Sequence, residues 1–422
     1  MNRNFAKIIL SAQQRLKLFG QYLQLDLFYF LRGGLWLTIP QVIAYLLGIV
    51  RSIAFANLAA QVVYGQYNFV LSIVGVFAIF TLPGMNIALT EATARGNYAV
   101  LSEVTWVRIK WGAVSTLLCS AVAFYYLLIE GEDKIALAIF MAGLLVPFIN
   151  GFSSVQSYYN GLKRFDLSSL ISFGLSILNT TSLILLLWLQ QGLVVLILAN
   201  LGVQLVFLWI FYRREVRSLP VTQKPDPNVI HYGWSLTWAN AINGVALYLD
   251  QIIIGFSIGF VELSIYKIAT IIPEAIKGVM KMTGTLVFPK IAEKPDKQVY
   301  SRLTRYRLGY STVANVVVVV ILILLAPFVI TMIYPKYSDS IVLTQLLLLS
   351  LIFGWPATFF LTALQARKKI RAIYRYNLLS GILQIGALLI LIPFLGVMGA
   401  VLSRLIVRWG TTLYLWYEAR RL

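Results

Sequence analysis

The feature that most constrains this chain is a series of apolar stretches, each about twenty residues long, that recurs along its whole length. A helix of about 20 residues matches the thickness of the hydrocarbon core of a bilayer. Of the 422 residues, 59% are hydrophobic and 12% are charged, and the mean hydropathy is +0.80. A water-soluble protein needs a more highly charged exterior. The sequence therefore predicts an all-α integral membrane protein.

We predict about twelve transmembrane helices from these stretches, because a helix satisfies all of its backbone hydrogen bonds within the bilayer. Their predicted bounds are 34–58, 67–90, 107–128, 135–155, 167–188, 192–212, 233–256, 263–286, 308–333, 341–364, 376–394 and 397–417.

One segment, 214–232, is typical of a linker because it is polar and contains three prolines. It separates two predicted lobes of six spans each, an N-terminal lobe at 34–213 and a C-terminal lobe at 233–422. Basic and apolar residues alternate within 1–33, a pattern typical of an amphipathic helix that lies on the membrane surface.

The basic residues alternate between the two sides of the predicted membrane. Most of the 35 Lys and Arg residues lie in the N-terminal segment, near the C-terminus, or in the connections that follow even-numbered spans. The connections after odd-numbered spans contain only Lys134 and Lys336. Basic connections remain in the cytoplasm, so both termini are predicted to be cytoplasmic. The net charge of +19 therefore reflects topology and does not indicate nucleic-acid binding.

The two predicted lobes also match each other in their polar residues. An even number of spans per lobe gives both lobes the same orientation, related by a pseudo-twofold axis along the membrane normal, with a central cleft between them. The matched pairs, at offsets of 199 to 205 residues, are Arg51 and Asp250, Tyr67 and Tyr266, Asn160 and Gln365, Lys163 and Lys368, Asn200 and Arg404, and Gln204 and Arg408.

Charged side chains inside a membrane are costly and mark functional sites. Arg108 and Lys110, at the start of the third span, are counted with the basic connection before it. The other basic residues predicted inside the spans are Arg51, Lys267, Lys277, Lys281, Arg404 and Arg408, and the two acidic ones are Asp250 and Glu274. We expect Glu274 to pair with Lys277 or Lys281. The excess of positive charge predicts a water-filled cavity that attracts an anion, since guanidinium and ammonium groups suit phosphate oxygens. An alternative for Lys277 and Lys281 is that they extend to the cytoplasmic interface.

The sequence has no Gly-rich phosphate loop, no His or Cys cluster with metal-ligand spacing and no nucleophile elbow. We therefore predict a transporter with no catalytic residue, metal or cofactor. Its energy would come from an H⁺ or Na⁺ gradient, from the membrane potential or from substrate turnover.

Two segments resemble the polysaccharide flippases of the multidrug/oligosaccharidyl-lipid/polysaccharide exporter superfamily. The sequence Leu-Gly-Ile-Val-Arg at 47–51, followed by Tyr-Gly-Gln-Tyr at 64–67, is similar to the opening helix pair of O-antigen and capsule flippases. The sequence Leu-Asp-Gln-Ile-Ile-Ile-Gly at 249–255, followed by Tyr266, is similar to its second-lobe counterpart. The first segment also resembles the opening helix of lipid II flippases, in which the arginine lines the central cavity.

The resemblance implies a flippase of the bacterial inner membrane. Its substrate would be an oligosaccharide linked to undecaprenyl pyrophosphate, such as an O-antigen, capsule or exopolysaccharide repeat unit, moved from the cytoplasmic to the periplasmic leaflet by alternating access. Membrane lipid, a glycan polymerase and a ligase are the other partners to consider. A multidrug or small-solute secondary transporter, or a membrane glycan polymerase or ligase, remains as an alternative.

The excess of positive charge gives the intramembrane charges candidate roles with such a substrate. Five of them are candidate pyrophosphate or cavity residues: Arg51, Lys267, Lys277, Arg404 and Arg408. Asp250 and Glu274 are candidates for coupling and gating. We expect Asp250 to face Arg51 across the cleft and to compete there with the substrate for the guanidinium.

Overall fold

The structure, a computed structural model, describes residues 27–219, 227–292, 297–367 and 369–420. Every element in these ranges is helical. Before the predicted linker the helices are α1 Leu27–Leu58, α2 Gln61–Phe77, a 3-10 turn at Ala78–Thr81, α3 Met85–Ala94, α4 Val100–Leu128, α5 Asp133–Phe152, α6 Ser154–Gly161, α7 Phe165–Trp188 and α8 Leu193–Val216.

After the predicted linker the helices are α9 Pro227–Ser257, α10 Phe260–Ala292, α11 Lys297–Ile333, a 3-10 turn at Pro335–Tyr337, α12 Ser340–Leu349, α13 Gly354–Ala366 and α14 Ile370–Arg420.

Each predicted span overlaps one or more of these helices. Within the described residues, eight helices are long and apolar enough to cross a membrane, or nine if α12 and α13, bent by 44° relative to each other, form one span. The all-α membrane fold is therefore confirmed, while the count of twelve spans stays a prediction. Helix α14, with 51 residues, covers two predicted spans.

One helix break lies inside a predicted span, and another lies between two predicted spans. Between α2 and α3 the chain passes through Leu82 (φ 55°) and the Pro83-Gly84 pair, which interrupts the predicted second span. Within α14, Gly396 has φ 57° and ψ −138°, at the predicted junction of the last two spans. A Cβ placed on Gly399 would lie 2.2 Å from the Leu391 carbonyl oxygen, so the chain reverses tightly here.

The predicted linker is shorter than its boundaries of 214–232 suggest, because helices enter it from both sides. Helix α8 continues to Val216, and α9 already begins at Pro227. Proline is well tolerated in the first turn of a helix, where its missing N–H would have no partner. The predicted surface helix at 1–33 lies outside the described residues up to residue 26, and residues 27–33 belong to α1.

The two halves of the chain meet along a row of close glycine contacts between the α2–α3 span and α9–α10. Small residues let membrane helices approach until backbones touch. Five glycines make these contacts, and we call them the glycine seam. A Cβ built on each would meet the opposite half, Gly65 at 1.8 Å from the Phe260 carbonyl oxygen, Gly75 at 2.8 Å from the Tyr248 ring, Gly84 at 2.4 Å from the Thr237 nitrogen, Gly233 at 2.4 Å from Met85 sulfur and Gly255 at 2.4 Å from the Phe69 ring.

A second set of contacts joins the halves beyond the end of α11. Ser52 and Tyr334 share a hydrogen bond of 2.8 Å between their hydroxyls. The Gln61 side-chain amide donates to the Lys336 carbonyl oxygen at 2.6 Å, and the Lys336 ammonium donates to the Asn57 carbonyl oxygen at 3.4 Å. These bonds hold the connection between α1 and α2 against the connection between α11 and α12.

Candidate functional site

The centre of the charged cluster is Asp250 on α9, which is fully buried. Its Oδ2 accepts hydrogen bonds from the Tyr266 hydroxyl at 2.5 Å and from Nη2 and Nε of Arg404 at 2.5 and 2.9 Å. Its Oδ1 accepts the backbone N–H of Gln251 at 2.8 Å. A buried carboxylate requires this degree of pairing, because an isolated charge would be too costly in the interior.

Arg404 connects this ion pair to a second carboxylate, Glu274 on α10. Glu274 Oε1 accepts from Arg404 Nη1 at 3.0 Å and from Arg408 Nη2 at 2.9 Å, and its Oε2 lies 3.4 Å from Lys277 Nζ. Arg408 also donates to the Ser350 hydroxyl at 2.7 Å. Three cations therefore share Glu274, whose side chain remains 41% exposed.

Local structure explains how three helices bring these residues together. The turn between α9 and α10 contains Gly259 with φ 144°, a conformation that favours glycine, and it places Tyr266 beside Asp250. Arg404 and Arg408 are one helical turn apart on α14 and share one face. Helix α14 packs against α9, which brings Arg404 to the buried carboxylate.

Two basic residues close to this cluster have no carboxylate partner in the described parts of the chain. The Lys267 ammonium donates to the neutral Gln251 side chain at 3.1 Å. Arg51 makes no hydrogen bond or ion pair to another described residue, although it interacts electrostatically with Tyr64, Tyr67 and Lys267. Five basic and two acidic candidate residues thus leave an excess of positive charge.

The structure alters one expectation about partners. Asp250 pairs with Arg404 of its own half, and not with Arg51, because α9 and α14 pack directly against each other. Arg404 is therefore already neutralised, whereas the sequence treats it as a free anion ligand. The expected pair of Glu274 and Lys277 is present, and the Lys281 side chain lies outside the described residues.

A neutral counterpart of the cluster lies in the first half. The Asn200 amide donates to the Tyr67 hydroxyl at 2.7 Å, and Gln204 donates to Asn200 at 3.1 Å. Asn200 aligns with Arg404 in the predicted repeat, and the Arg404 guanidinium lies 5.5 Å from the centre of the Tyr266 ring. Asn200 and Arg404 thus each lie against a buried tyrosine of their own half, Tyr67 and Tyr266, which are also a matched pair in the predicted repeat.

One buried cation was missed by the sequence analysis. Arg108 on α4 is 2% exposed and donates to the Thr81 carbonyl oxygen at 3.0 Å, to the Asn86 side chain at 2.7 Å and to Ser154 at 2.9 Å. Thr81 and Asn86 flank the break between α2 and α3, where backbone groups lose their helical partners. Arg108 lies near the end of a predicted span, where an arginine is expected to reach water, so the sequence did not indicate this role. The Pro-Gly pair inside the predicted second span and the hydroxyl-bearing residues were the sequence features that could have indicated it.

The arrangement suits the binding of an anion. Arginine and lysine side chains that cluster with too few carboxylates provide many hydrogen-bond donors for phosphate oxygens. The described residues contain no group of three or more His, Cys, Asp or Glu side chains placed to hold a metal ion. Coupling to an ion gradient or to the membrane potential stays a prediction.

Comparisons with known proteins identify the family and the fold. A family described as "Polysaccharide biosynthesis protein" matches residues 30–294. No curated protein sequence matches the chain.

Among solved structures, the lipid II flippase MurJ in an inward closed conformation has a TM-score of 0.71 and 14% identity, covering 91% of this chain and 87% of MurJ. Two conformations of a multidrug resistance transporter of the MATE family and MOP superfamily also match. The inward-facing one has a TM-score of 0.68, 14% identity and coverage of 92% and 97% of the two chains, and the outward-facing one has a TM-score of 0.63, 14% identity and coverage of 92% and 94%. The fold is that of the MOP-superfamily transporters.

Proposed function

Since this chain belongs to the polysaccharide biosynthesis protein family, we propose that it is a flippase for an oligosaccharide linked to undecaprenyl pyrophosphate. It moves the substrate from the cytoplasmic to the periplasmic leaflet of a bacterial inner membrane. The observation that carries the proposal is the positive charge of the site, because Arg51 and Lys267 have no carboxylate partner among the described residues.

This excess of charge has a cost that the substrate removes. An unpaired cation inside a membrane is unfavourable by several kcal/mol. A pyrophosphate supplies the missing negative charge and offers oxygens in a geometry that guanidinium groups bind in bidentate fashion. An organic cation, by contrast, would be repelled. The charge therefore favours a pyrophosphate-linked substrate over the cationic drugs of a multidrug exporter.

Glu274 serves as the internal substitute for the substrate. It accepts from Arg404 and Arg408 and pairs with Lys277, which are bonds that phosphate oxygens also form. It is partly exposed, whereas Asp250 is fully buried, so Glu274 is the carboxylate that an arriving phosphate can displace. Asp250 then keeps Arg404 oriented while Glu274 moves aside.

The cations form a path along α10. Lys267 and Lys277 are ten positions apart, which corresponds to ~15 Å along a helix, about half the thickness of a ~30 Å hydrocarbon core. In the predicted orientation, Lys277 and Arg408 lie on the cytoplasmic side, and Lys267 and Arg51 lie on the periplasmic side. A pyrophosphate passes from the first pair to the second through Arg404.

The same orientation also indicates which side of the protein is closed in this structure. The bonds of Ser52 with Tyr334 and of Gln61 with Lys336 close the periplasmic side. Translocation requires these bonds to break as the two halves change their relative orientation. The presence of the fold in both inward-facing and outward-facing transporters supports such a cycle. A substrate shifts the balance between the two states by its difference in affinity for them.

Export of the glycan in cells that depend on this protein tests the proposal. Arg51→Ala should abolish export, and Arg51→Lys should retain only part of it, because an ammonium group cannot make bidentate contacts. The measurement is the amount of lipid-linked glycan retained on the cytoplasmic side, at matched membrane levels of each variant.

Arg95→Ala is the control, because Arg95 forms an exposed pair with Glu91 and lies outside the site. It should export normally. Normal export by Arg51→Ala would overturn the anion mechanism, and the absence of any retained lipid-linked glycan in cells without the protein would overturn the flippase function.

A further inference from the structure

A cavity of 460 Å³ lies in the second half of the chain, between α10, α12, α13 and α14. Its volume is in the range of ~300–1,000 Å³ that is typical of small-molecule sites. Lys277 and Arg408 of the charged cluster form part of its wall. The remaining lining residues are Met280, Ser350, Leu351, Phe353, Gly354, Ala357, Thr358, Leu361, Thr362, Gln365, Tyr376, Thr411 and Thr412.

The hydroxyl groups of this cavity are arranged as hydrogen-bond acceptors. Each serine and threonine hydroxyl donates its proton to a backbone carbonyl of its own helix, for example Thr362 to Thr358 at 2.7 Å and Thr412 to Arg408 at 2.7 Å. Thr358 and Thr411 make the same kind of bond. A hydroxyl oxygen that has donated its proton keeps lone pairs that accept. This wall therefore suits a ligand with several O–H or N–H donors and does not suit an anion.

Two larger polar side chains of the cavity are available to hydrogen-bond a ligand. Gln365 and Tyr376 make no hydrogen bond to any other described residue. Gln365 is exposed, and Tyr376 is partly buried. Between them and the threonines lie apolar groups such as Leu361 and Ala357, which suit the C–H face of a ring.

The cationic and hydroxyl-lined walls together define the ligand. Arg408 and Lys277 attract a phosphate, and the acceptor wall beyond them attracts a neutral group with many hydroxyl donors and an apolar face. We propose that this cavity binds a hexose joined through its anomeric carbon to a phosphate, with the phosphate on Arg408 and Lys277 and the sugar ring against Thr362 and Thr412.

This inference rests on the proposed function, since such a unit is the part of a lipid-linked oligosaccharide that adjoins the carrier. In the predicted orientation the cavity lies on the cytoplasmic side, where the substrate first meets the protein. The site would select the first sugar of the glycan before the pyrophosphate moves on to Lys267 and Arg51.

Binding of soluble probes to the purified full-length protein tests the proposal. The probes are N-acetylglucosamine 1-phosphate, glucose 1-phosphate and galactose 1-phosphate, with inorganic phosphate as the reference, and the readout is the dissociation constant from calorimetry. At least one sugar phosphate should bind more tightly than inorganic phosphate. Thr362→Val and Thr412→Val should each weaken the binding of that sugar phosphate by ~5-fold, which corresponds to the loss of one hydrogen bond of ~1 kcal/mol. Neither variant should change the affinity for inorganic phosphate.

Thr331→Val is the matched control, because Thr331 makes the same bond to its own helix at 2.8 Å but is exposed on α11, outside the cavity. It should not change either affinity. Arg408→Gln should weaken the binding of all four probes, because each of them contains a phosphate.

Equal affinity of all three sugar phosphates and inorganic phosphate would overturn the sugar site and leave the flippase proposal standing. Equal effects of Thr412→Val and Thr331→Val would do the same. Failure of the flippase proposal is recognised separately, by the absence of any retained lipid-linked glycan in cells without the protein.

Discussion

Arg404 and Asp250 form an ion pair across two helices, with Arg404 Nη2 and Nε at 2.5 and 2.9 Å from a carboxylate that is fully buried. The two residues are 154 positions apart in sequence. Their bond fixes α14 against α9 at Arg404, so the guanidinium, which also bonds Glu274, has a defined orientation. The charged site therefore has one fixed carboxylate and one that is free to exchange partners.

The first prediction concerns this pair. Asp250→Asn should reduce the free energy of unfolding by on the order of 3 kcal/mol, because removing one partner of a buried pair leaves an uncompensated charge. The double variant Asp250→Asn, Arg404→Gln should recover part of the loss. Denaturant unfolding of the purified protein measures both. Strictly additive effects of the two single substitutions would show that the pair contributes no coupling.

The second prediction concerns Glu274 as a competitor of the substrate. Glu274→Gln should raise the affinity for inorganic pyrophosphate, because Arg408 and Lys277 then lose their anionic partner. Calorimetry on the purified protein gives the dissociation constant. Glu132→Gln, in the exposed connection between α4 and α5, is the control and should leave the affinity unchanged. Weaker binding by Glu274→Gln would contradict the exchange of Glu274 for phosphate.

The third prediction concerns the glycine seam. Gly65→Ala should lower the melting temperature and the yield of folded protein, because its Cβ would lie 1.8 Å from a backbone oxygen that cannot move by itself. Gly48→Ala, on α1, is the matched control, since nothing lies within 4 Å of the added Cβ. It should be neutral or slightly stabilising, as alanine favours a helix over glycine. Equal melting temperatures for the two variants would argue against a tight seam.

The fourth prediction concerns topology. Cysteines introduced beside Lys134 and Lys336 should react with a membrane-impermeant thiol reagent added outside the cell, and cysteines beside Arg164 and Lys368 should not. The native Cys119 is fully buried and should contribute no background. Labelling of all four positions from the same side would require a different number of spans.

The helices were predictable because each span is an apolar stretch of bilayer length, a local property of the sequence. The break near Gly396 was predictable for the same reason, because it separates two such stretches, whereas the break at Pro83-Gly84 lies inside one predicted span. The partner of Asp250 was not. The repeat shows that Arg51 and Asp250 are equivalent positions, but equivalence in two halves does not mean contact. Which cation reaches Asp250 depends on how α14 packs against α9, and that is a property of the whole fold.

Arg108 shows a second limit of the sequence. A lone arginine near a span end has the same local sequence signature whether it faces water or satisfies a broken helix. Its carbonyl and amide partners, Thr81 and Asn86, belong to a different span. Only the tertiary structure shows that the break in one helix is compensated by a side chain from the next.

The glycine seam also decides which edge of the molecule can open. Along the seam, backbone meets backbone at Gly65 and Gly84, and such contacts leave no room for sliding. On the other edge, α1 approaches α10 where the Tyr45 ring covers Gly278, a contact that one side-chain rotation removes. The seam is therefore the fixed edge about which the two halves can turn, and the Tyr45 ring closes the opposite edge. For the proposed lipid-linked substrate, this means that the lipid chain would remain in the bilayer beside the α1–α10 edge while the polar head passes between the two halves.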